Sequence, residues 1–198
     1  IKPMIWQARD RSWEFPRPTL VMGIVNVTPD SFSDGGKFQS TDQAVEHALR
    51  LASEGADILD IGGESTRPGA ESVDDSVELS RVIPVIKKLT DQTKAALSID
   101  TQKPAVAQAA LGAGAVIIND IAANREDEVM WQLVAKTGAG YVAMHMLDTP
   151  QTMQKSPKYK NVVNDIEAFF YCRMERWSDC GMTLEQVVLD PGIGFGKT

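Results

Sequence analysis

From residue 20 onward, short apolar, β-branched runs alternate with longer stretches in which apolar positions recur at helical spacing. This is the pattern of parallel strands joined by crossover helices, because a strand that returns in the same direction needs a long connection back across the sheet. Six strands are predicted, at residues 20–26, 58–61, 96–100, 115–119, 141–145 and 187–190, with helices at 41–54, 74–89, 104–111, 126–137 and 162–180. Ser40 or Thr41 can cap the first helix and Asp74 the second, while Pro104 suits the first turn of the third because its missing N–H costs nothing there. The repeated endings Glu54-Gly55-Ala56-Asp57, Leu111-Gly112-Ala113-Gly114-Ala115 and Thr137-Gly138-Ala139-Gly140 place glycine where helices must turn into strands through a left-handed conformation. Ahead of this array, residues 4–15 read as two short strands about the polar turn Arg9-Asp10-Arg11, a hairpin within residues 1–17. The fold class is α/β, with residues 1–198 forming one domain.

Polar residues recur at the C-terminal ends of the predicted strands: Asn26, Asp60, Asp100, Asn119 with Asp120, His145, and Asp190. In parallel α/β folds those ends and the loops after them form the active face. Any one of these residues reads equally well as a local cap or turn former. Their recurrence as a set points to a polar ligand held at the mouth. Met144 and His145 are sequence neighbours on one strand, so only one of them can face inward.

The loops after the strands add chemistry. Residues 26–36 include Thr28, Asp30, Ser31, Phe32, Ser33, Asp34 and the pair Gly35-Gly36, and they are too many for a plain connection, which suggests a lid or substrate loop. Gly62-Gly63-Glu64-Ser65-Thr66-Arg67-Pro68-Gly69 combines backbone that can approach a ligand closely with Arg67, whose forked donors match phosphate oxygens. Residues 189–198 end like a phosphate-binding P-loop, but the position five before Gly196 is Pro191 where that pattern needs Gly. Phe195 in this segment can form an apolar or stacking wall beside Asp190.

Composition narrows the function classes. A formal charge of −7 excludes a broad basic surface that tracks nucleic acid or anionic membrane, so any phosphate is held locally. Cys172 and Cys180 match neither a redox pair nor a zinc knuckle, and His47 and His145 form no ligand pair. No apolar run reaches the length of a membrane span, and the chain reads as cytoplasmic.

Residues 22–36, 60–69, 98–101, 118–121 and 190–197, taken in order, resemble dihydropteroate synthase. The resemblance implies a TIM (β/α)8 barrel, here incomplete at about six strands. It also implies a transferase of folate biosynthesis and a sulfonamide target. That enzyme condenses 6-hydroxymethyl-7,8-dihydropterin pyrophosphate with p-aminobenzoate, with Mg²⁺ assistance, to give 7,8-dihydropteroate. Carried over residue by residue, it makes Asp100, Asn119, Met144 and Asp190 the pterin-binding group and Asn26 the metal ligand. It assigns Asp34, Thr66 and Arg67 to catalysis, and Phe32, Thr66, Pro68 and Phe195 to p-aminobenzoate. Ionised Asp can only accept hydrogen bonds whereas Asn can do both, which suits a pterin edge. The family's later strands contribute a pterin-contacting Lys and an Arg-x-His pair not present in these residues, so the expectation is the first part of a longer protein, inactive or weakly active alone and homodimeric when full length. A pterin-dependent methyltransferase and a catalytically inert pterin-binding scaffold are the alternatives. The Ser65-Thr66-Arg67-Pro68-Gly69 segment favours the synthase, since methyl transfer has no pyrophosphate to hold.

Overall fold

The computed structural model describes residues 3–28, 37–65 (backbone only at 37–40), 72–121, 123, 128–147, 153 and 157–197. Strands β1 (Met4–Ala8) and β2 (Arg11–Phe15) form an antiparallel hairpin with Ala8 paired to Arg11 across a two-residue turn. The remaining strands are β3 (Met22–Asn26), β4 (Ile58–Gly62), β5 (Ala96–Asp100), β6 (Ile117–Asp120), β7 (Gly140–Met144) and β8 (Val187–Asp190). They lie in one sheet in sequence order, and every neighbouring pair is parallel. Helices α1 (Lys37–Ser53), α2 (Asp75–Thr90), α3 (Pro104–Ala113), α4 (Val129–Thr137) and α5 (Val162–Asp179) connect successive strands, with a short 3-10 helix at Leu184–Gln186 before β8. This succession is that of a TIM barrel, seen here over six of its strands.

Side-chain alternation along each strand separates two cores. On one face Val25, Leu59, Ile61, Leu97, Ile99, Ile118 and Tyr141 pack beneath helix residues such as Val82, Ile86, Val106, Trp131 and Trp177. On the other face Ile58, Ala96, Ile117 and Val142 pack against Trp6, Ala8 and Trp13 of the hairpin. The hairpin therefore plugs the N-terminal end of the barrel interior. Trp6 and Trp13, opposed in register, stack at 4.8 Å, and Trp6 Nε1 donates to the Gln186 carbonyl at 3.2 Å. Arg9 fastens the turn to the helix layer through the carbonyls of Leu111 and Ala115. Gly140 admits this approach, because a Cβ there would lie 2.8 Å from the Ala8 Cβ.

The helix ends follow the expected glycine logic: Gly55, Gly114 and Gly138 all have positive φ. Pro104 opens α3, and Asn161 caps α5 by accepting from the N–H groups of Val163 and Asn164. Several element ends differ from expectation. Helix α1 begins at Lys37, so Ser40 and Thr41 lie inside it rather than capping it. Asp74 occupies the cap position of α2, but only its carbonyl serves, accepting from Val77 and Glu78. Strand β6 starts at Ile117 because the Ala115 N–H still bonds back to Ala110, finishing the turn out of α3. Among the described residues no helix is long and apolar enough to cross a membrane.

Candidate functional site

The parallel register places Asn26, Gly62, Asp100 and Asn119 in one row across β3 to β6, and it sets Met144 opposite Asp190 across β7 and β8. All share the face that carries the hairpin plug, but at the opposite, C-terminal end of the strands. Asp60 and Ser98, two residues earlier on β4 and β5, pair with each other one step deeper on the same face. Adjacent strands are about 4.8 Å apart, so neighbouring side chains of the row lie close together at the C-terminal end of the sheet, and this end forms the mouth.

Within it, Asn119 Nδ2 donates to Asp60 Oδ2 at 2.8 Å. Asp60 is 2% exposed, and its Oδ1 and the Oδ1 of Asp100 are both buried with no hydrogen-bond partner among the described residues. Burial raises the Asp60 pKa; the nearby Ser98 hydroxyl, which makes no well-aligned hydrogen bond, and the Asn119 amide oppose that rise. Asp100 is pushed well above the usual carboxylate range, first by burial and then by the negative charges of Asp60, Glu78, Asp120 and Glu64. Gly62 keeps the space between the flanking polar groups open: a Cβ there would lie 3.3 Å from Asp100 Oδ2 and 3.7 Å from Asn26 Oδ1.

On the far side, Asp190 Oδ1 accepts from the Gly192 N–H at 2.7 Å, which starts the glycine-rich turn. Phe195 in that turn packs against an apolar cluster of Ile121, Met144, Met146 and Met153. Lys197 holds the turn down, donating to His145 Nδ1 at 2.9 Å and to the carbonyls of His145 and Phe195 at 2.8 and 3.0 Å. Tyr159 adds a bond from its hydroxyl to the Gly196 carbonyl at 2.7 Å.

Two of the strand-end polar residues do not reach the mouth. His145 turns toward α5, its ring perpendicular to Phe169 at 4.8 Å; burial and then the Lys197 charge lower its pKa to about 4, so it is neutral near pH 7. Met144 takes the inward place instead. Asp120 also points into the helix layer, accepting from the Tyr141 hydroxyl at 2.7 Å. Alternation decides both cases, since each follows an inward neighbour by one residue.

A second charged cluster lies beside β4. Lys103 Nζ donates to Glu64 Oε2 at 2.6 Å, to Glu78 Oε2 at 2.7 Å and to the Val73 carbonyl at 2.6 Å. Burial opposes the Lys103 charge, but the two carboxylates more than offset it and raise its pKa. Arg81 donates to the Gly63 carbonyl at 2.7 Å. The cluster ties Glu64 and Val73, which flank residues 66–71, to the start of α3. The sequence reading gave these residues no role; what could have found them is the pairing of an acid at a strand end with a Lys just before a helix.

Of the site residues expected from the sequence, Asn26, Asp100, Asn119, Met144, Asp190 and Phe195 are brought to the mouth or its rim. Phe32, Asp34, Thr66, Arg67 and Pro68 lie outside the described residues. Among the described residues no group of three or more His, Cys, Asp or Glu side chains could hold a metal ion. A hard cation at this end would take the Asn26 amide oxygen and most of its remaining ligands from water and a bound anion, which fits Mg²⁺ chemistry.

A family model described as "Pterin binding enzyme" matches residues 22–198. The chain belongs to the pterin-binding enzyme family. It is 46% identical over 177 residues to the dihydropteroate synthase of Escherichia coli K12, covering 89% of this chain and 62% of that protein. A structure of Xanthomonas albilineans dihydropteroate synthase with 4-aminobenzoic acid superposes with a TM-score of 0.88 at 46% identity, covering 100% of this chain and 69% of the other. The Burkholderia cenocepacia enzyme complexed with 7,8-dihydropteroate gives 0.85 at 46% identity, covering 99% and 66%. The chain spans less than two thirds of the length of the curated relatives first matched.

Proposed function

We propose that this chain supplies the pterin-recognising part of a dihydropteroate synthase, which condenses 6-hydroxymethyl-7,8-dihydropterin pyrophosphate with p-aminobenzoate to give 7,8-dihydropteroate and pyrophosphate. The observation that carries this reading is the inward convergence of Asp100, Asn119 and Asp190, with a buried Asp100 oxygen that lacks a donor. A pterin's amino-pyrimidine edge presents N–H groups to such acceptors, and the Met144 and Phe195 cluster offers an apolar surface to its ring.

In this reading the C–O bond to pyrophosphate breaks first, the electron-rich pterin carries the positive charge on its methylene carbon, and the arylamine nitrogen attacks and then loses a proton. Mg²⁺, when bound near Asn26, supplies charge stabilisation to the leaving pyrophosphate. Arg67 and Thr66 serve the same anion, Asp34 acts near the reacting carbon, and Phe32, Pro68, Thr66 and Phe195 border p-aminobenzoate. Asp100, Asn119 and Asp190 orient the pterin throughout, and no covalent enzyme intermediate is needed. The whole protein is read as a cytoplasmic homodimer. Calorimetry tests the order of events: pyrophosphate should promote p-aminobenzoate binding to the pterin complex, and p-aminobenzoate binding that ignores pyrophosphate would count against this reading. Pyrophosphate release that depends on p-aminobenzoate separates the synthase from a methyltransferase or an inert binding domain.

A further inference from the structure

We propose that Asp60 is a positioning residue whose carboxylate fixes the Asn119 side-chain amide so that its oxygen, rather than its nitrogen, is presented to the ligand at the mouth. This rests on the pterin-site reading above and goes beyond it by assigning Asn119 a polarity and naming what sets it.

Asn119 stands at the end of β6 in register with Asp100, while Asp60 lies one step deeper on β4, in register with Ser98. The 2.8 Å bond from Asn119 Nδ2 to Asp60 Oδ2 turns the nitrogen down into the barrel. Asp60 is 2% exposed and its other oxygen has no partner among the described residues, so no solvent competes for this donor. A flip of the amide would set the Asn119 oxygen against a buried carboxylate and leave Asp60 without a well-formed bond. With the nitrogen held below, Asn119 faces the ligand as an acceptor. Together with Asp100 and Asp190, it makes an edge that selects a ligand with several N–H donors and disfavours one presenting a carbonyl to Asn119.

The polarity can be inverted and restored. In Asp60→Asn, the new side chain offers a donor as well as an acceptor, so the Asn119 amide is no longer held in one orientation and its nitrogen can face the mouth. In the double variant Asp60→Asn/Asn119→Asp, the new amide donates to one oxygen of residue 119 and the other again faces the ligand. Fluorescence titration of the chain with 6-hydroxymethylpterin should show binding weakened at least about tenfold in Asp60→Asn and recovered to within about threefold of wild type in the double variant. Unchanged affinity in a folded Asp60→Asn chain whose Asn119 amide NMR shows to have lost its single orientation overturns the inference. So does a folded double variant no tighter than the single one, because a merely structural loss would not be rescued by moving the carboxylate to the other strand. If either variant fails to fold, the wild-type chain decides: NMR of the unliganded protein should show the Asn119 side-chain N–H protected from exchange and locked in one rotamer. A freely exchanging, flipping amide overturns the proposal. Failure of the wild type to bind the pterin would remove the pterin-site reading, and the same NMR measurement would still test the role of Asp60.

Discussion

Asp60 and Asp100, on adjacent parallel strands, each keep one carboxylate oxygen buried and unpartnered among the described residues, and the Asp60 charge raises the cost of ionising Asp100. Two carboxylates, each with a buried oxygen that lacks a donor, make sense as a site waiting for a ligand that brings them.

Asp100 should therefore trade stability for binding. Its folded pKa is raised, so the folded chain holds the proton more tightly than the unfolded one, and its contribution to stability declines as pH climbs from 3.8 through the folded value. Asp100→Asn should stabilise the unliganded chain near pH 7 by about 1 kcal/mol or more while weakening pterin binding at least about tenfold. Denaturant unfolding across pH and pterin titration read the two effects.

Lys103→Met leaves Glu64 and the 1%-exposed Glu78 without their shared cation. A loss of about 3 kcal/mol is expected, because removing one partner strands buried charge. Adding Glu78→Gln should recover part of it.

His145 has its pKa lowered to about 4 by burial and the neighbouring Lys197 charge. The unfolded chain thus takes up its proton first, and the stability carried by neutral His145 should be present above about pH 6.5 and fade as pH falls toward 4. Asp60 and Asp100 act in the opposite sense over acid pH. The difference in unfolding free energy between wild type and His145→Gln isolates the histidine, and it should shrink through that window.

Gly140→Ala should destabilise by roughly 1–3 kcal/mol through the clash with Ala8. Ala8→Gly in the same chain should relieve much of it. Independent, additive effects in thermal unfolding would show that the hairpin does not press on β7 as described.

Much of this architecture was legible in the sequence because it follows from local rules. Strand and helix order came from apolar period, the left-handed glycines from helix-to-strand turns, and Pro104 from its missing N–H. Boundaries slipped where tertiary context decided, as at α1, which begins before its two candidate caps. The inward set was partly legible. Parity along β6 and β7 sends Asp120 and His145 outward, and it could be applied only once the strand ends and register were known. The Asp60 to Asn119 bond and the Lys103 cluster join residues 59, 39 and 25 positions apart, and no single-sequence spacing encodes such pairings.

In the proposed function, Asp100, Asn119 and Asp190 hold a pterin at the C-terminal ends of the strands. Calorimetric titration with 6-hydroxymethylpterin of the wild-type chain and of folded Asp100→Asn and Asp190→Asn variants tests it most directly. Saturable one-to-one binding by the wild type is expected, with at least about tenfold weaker binding by each variant. No binding by the wild type, or equal binding by all three, would contradict it.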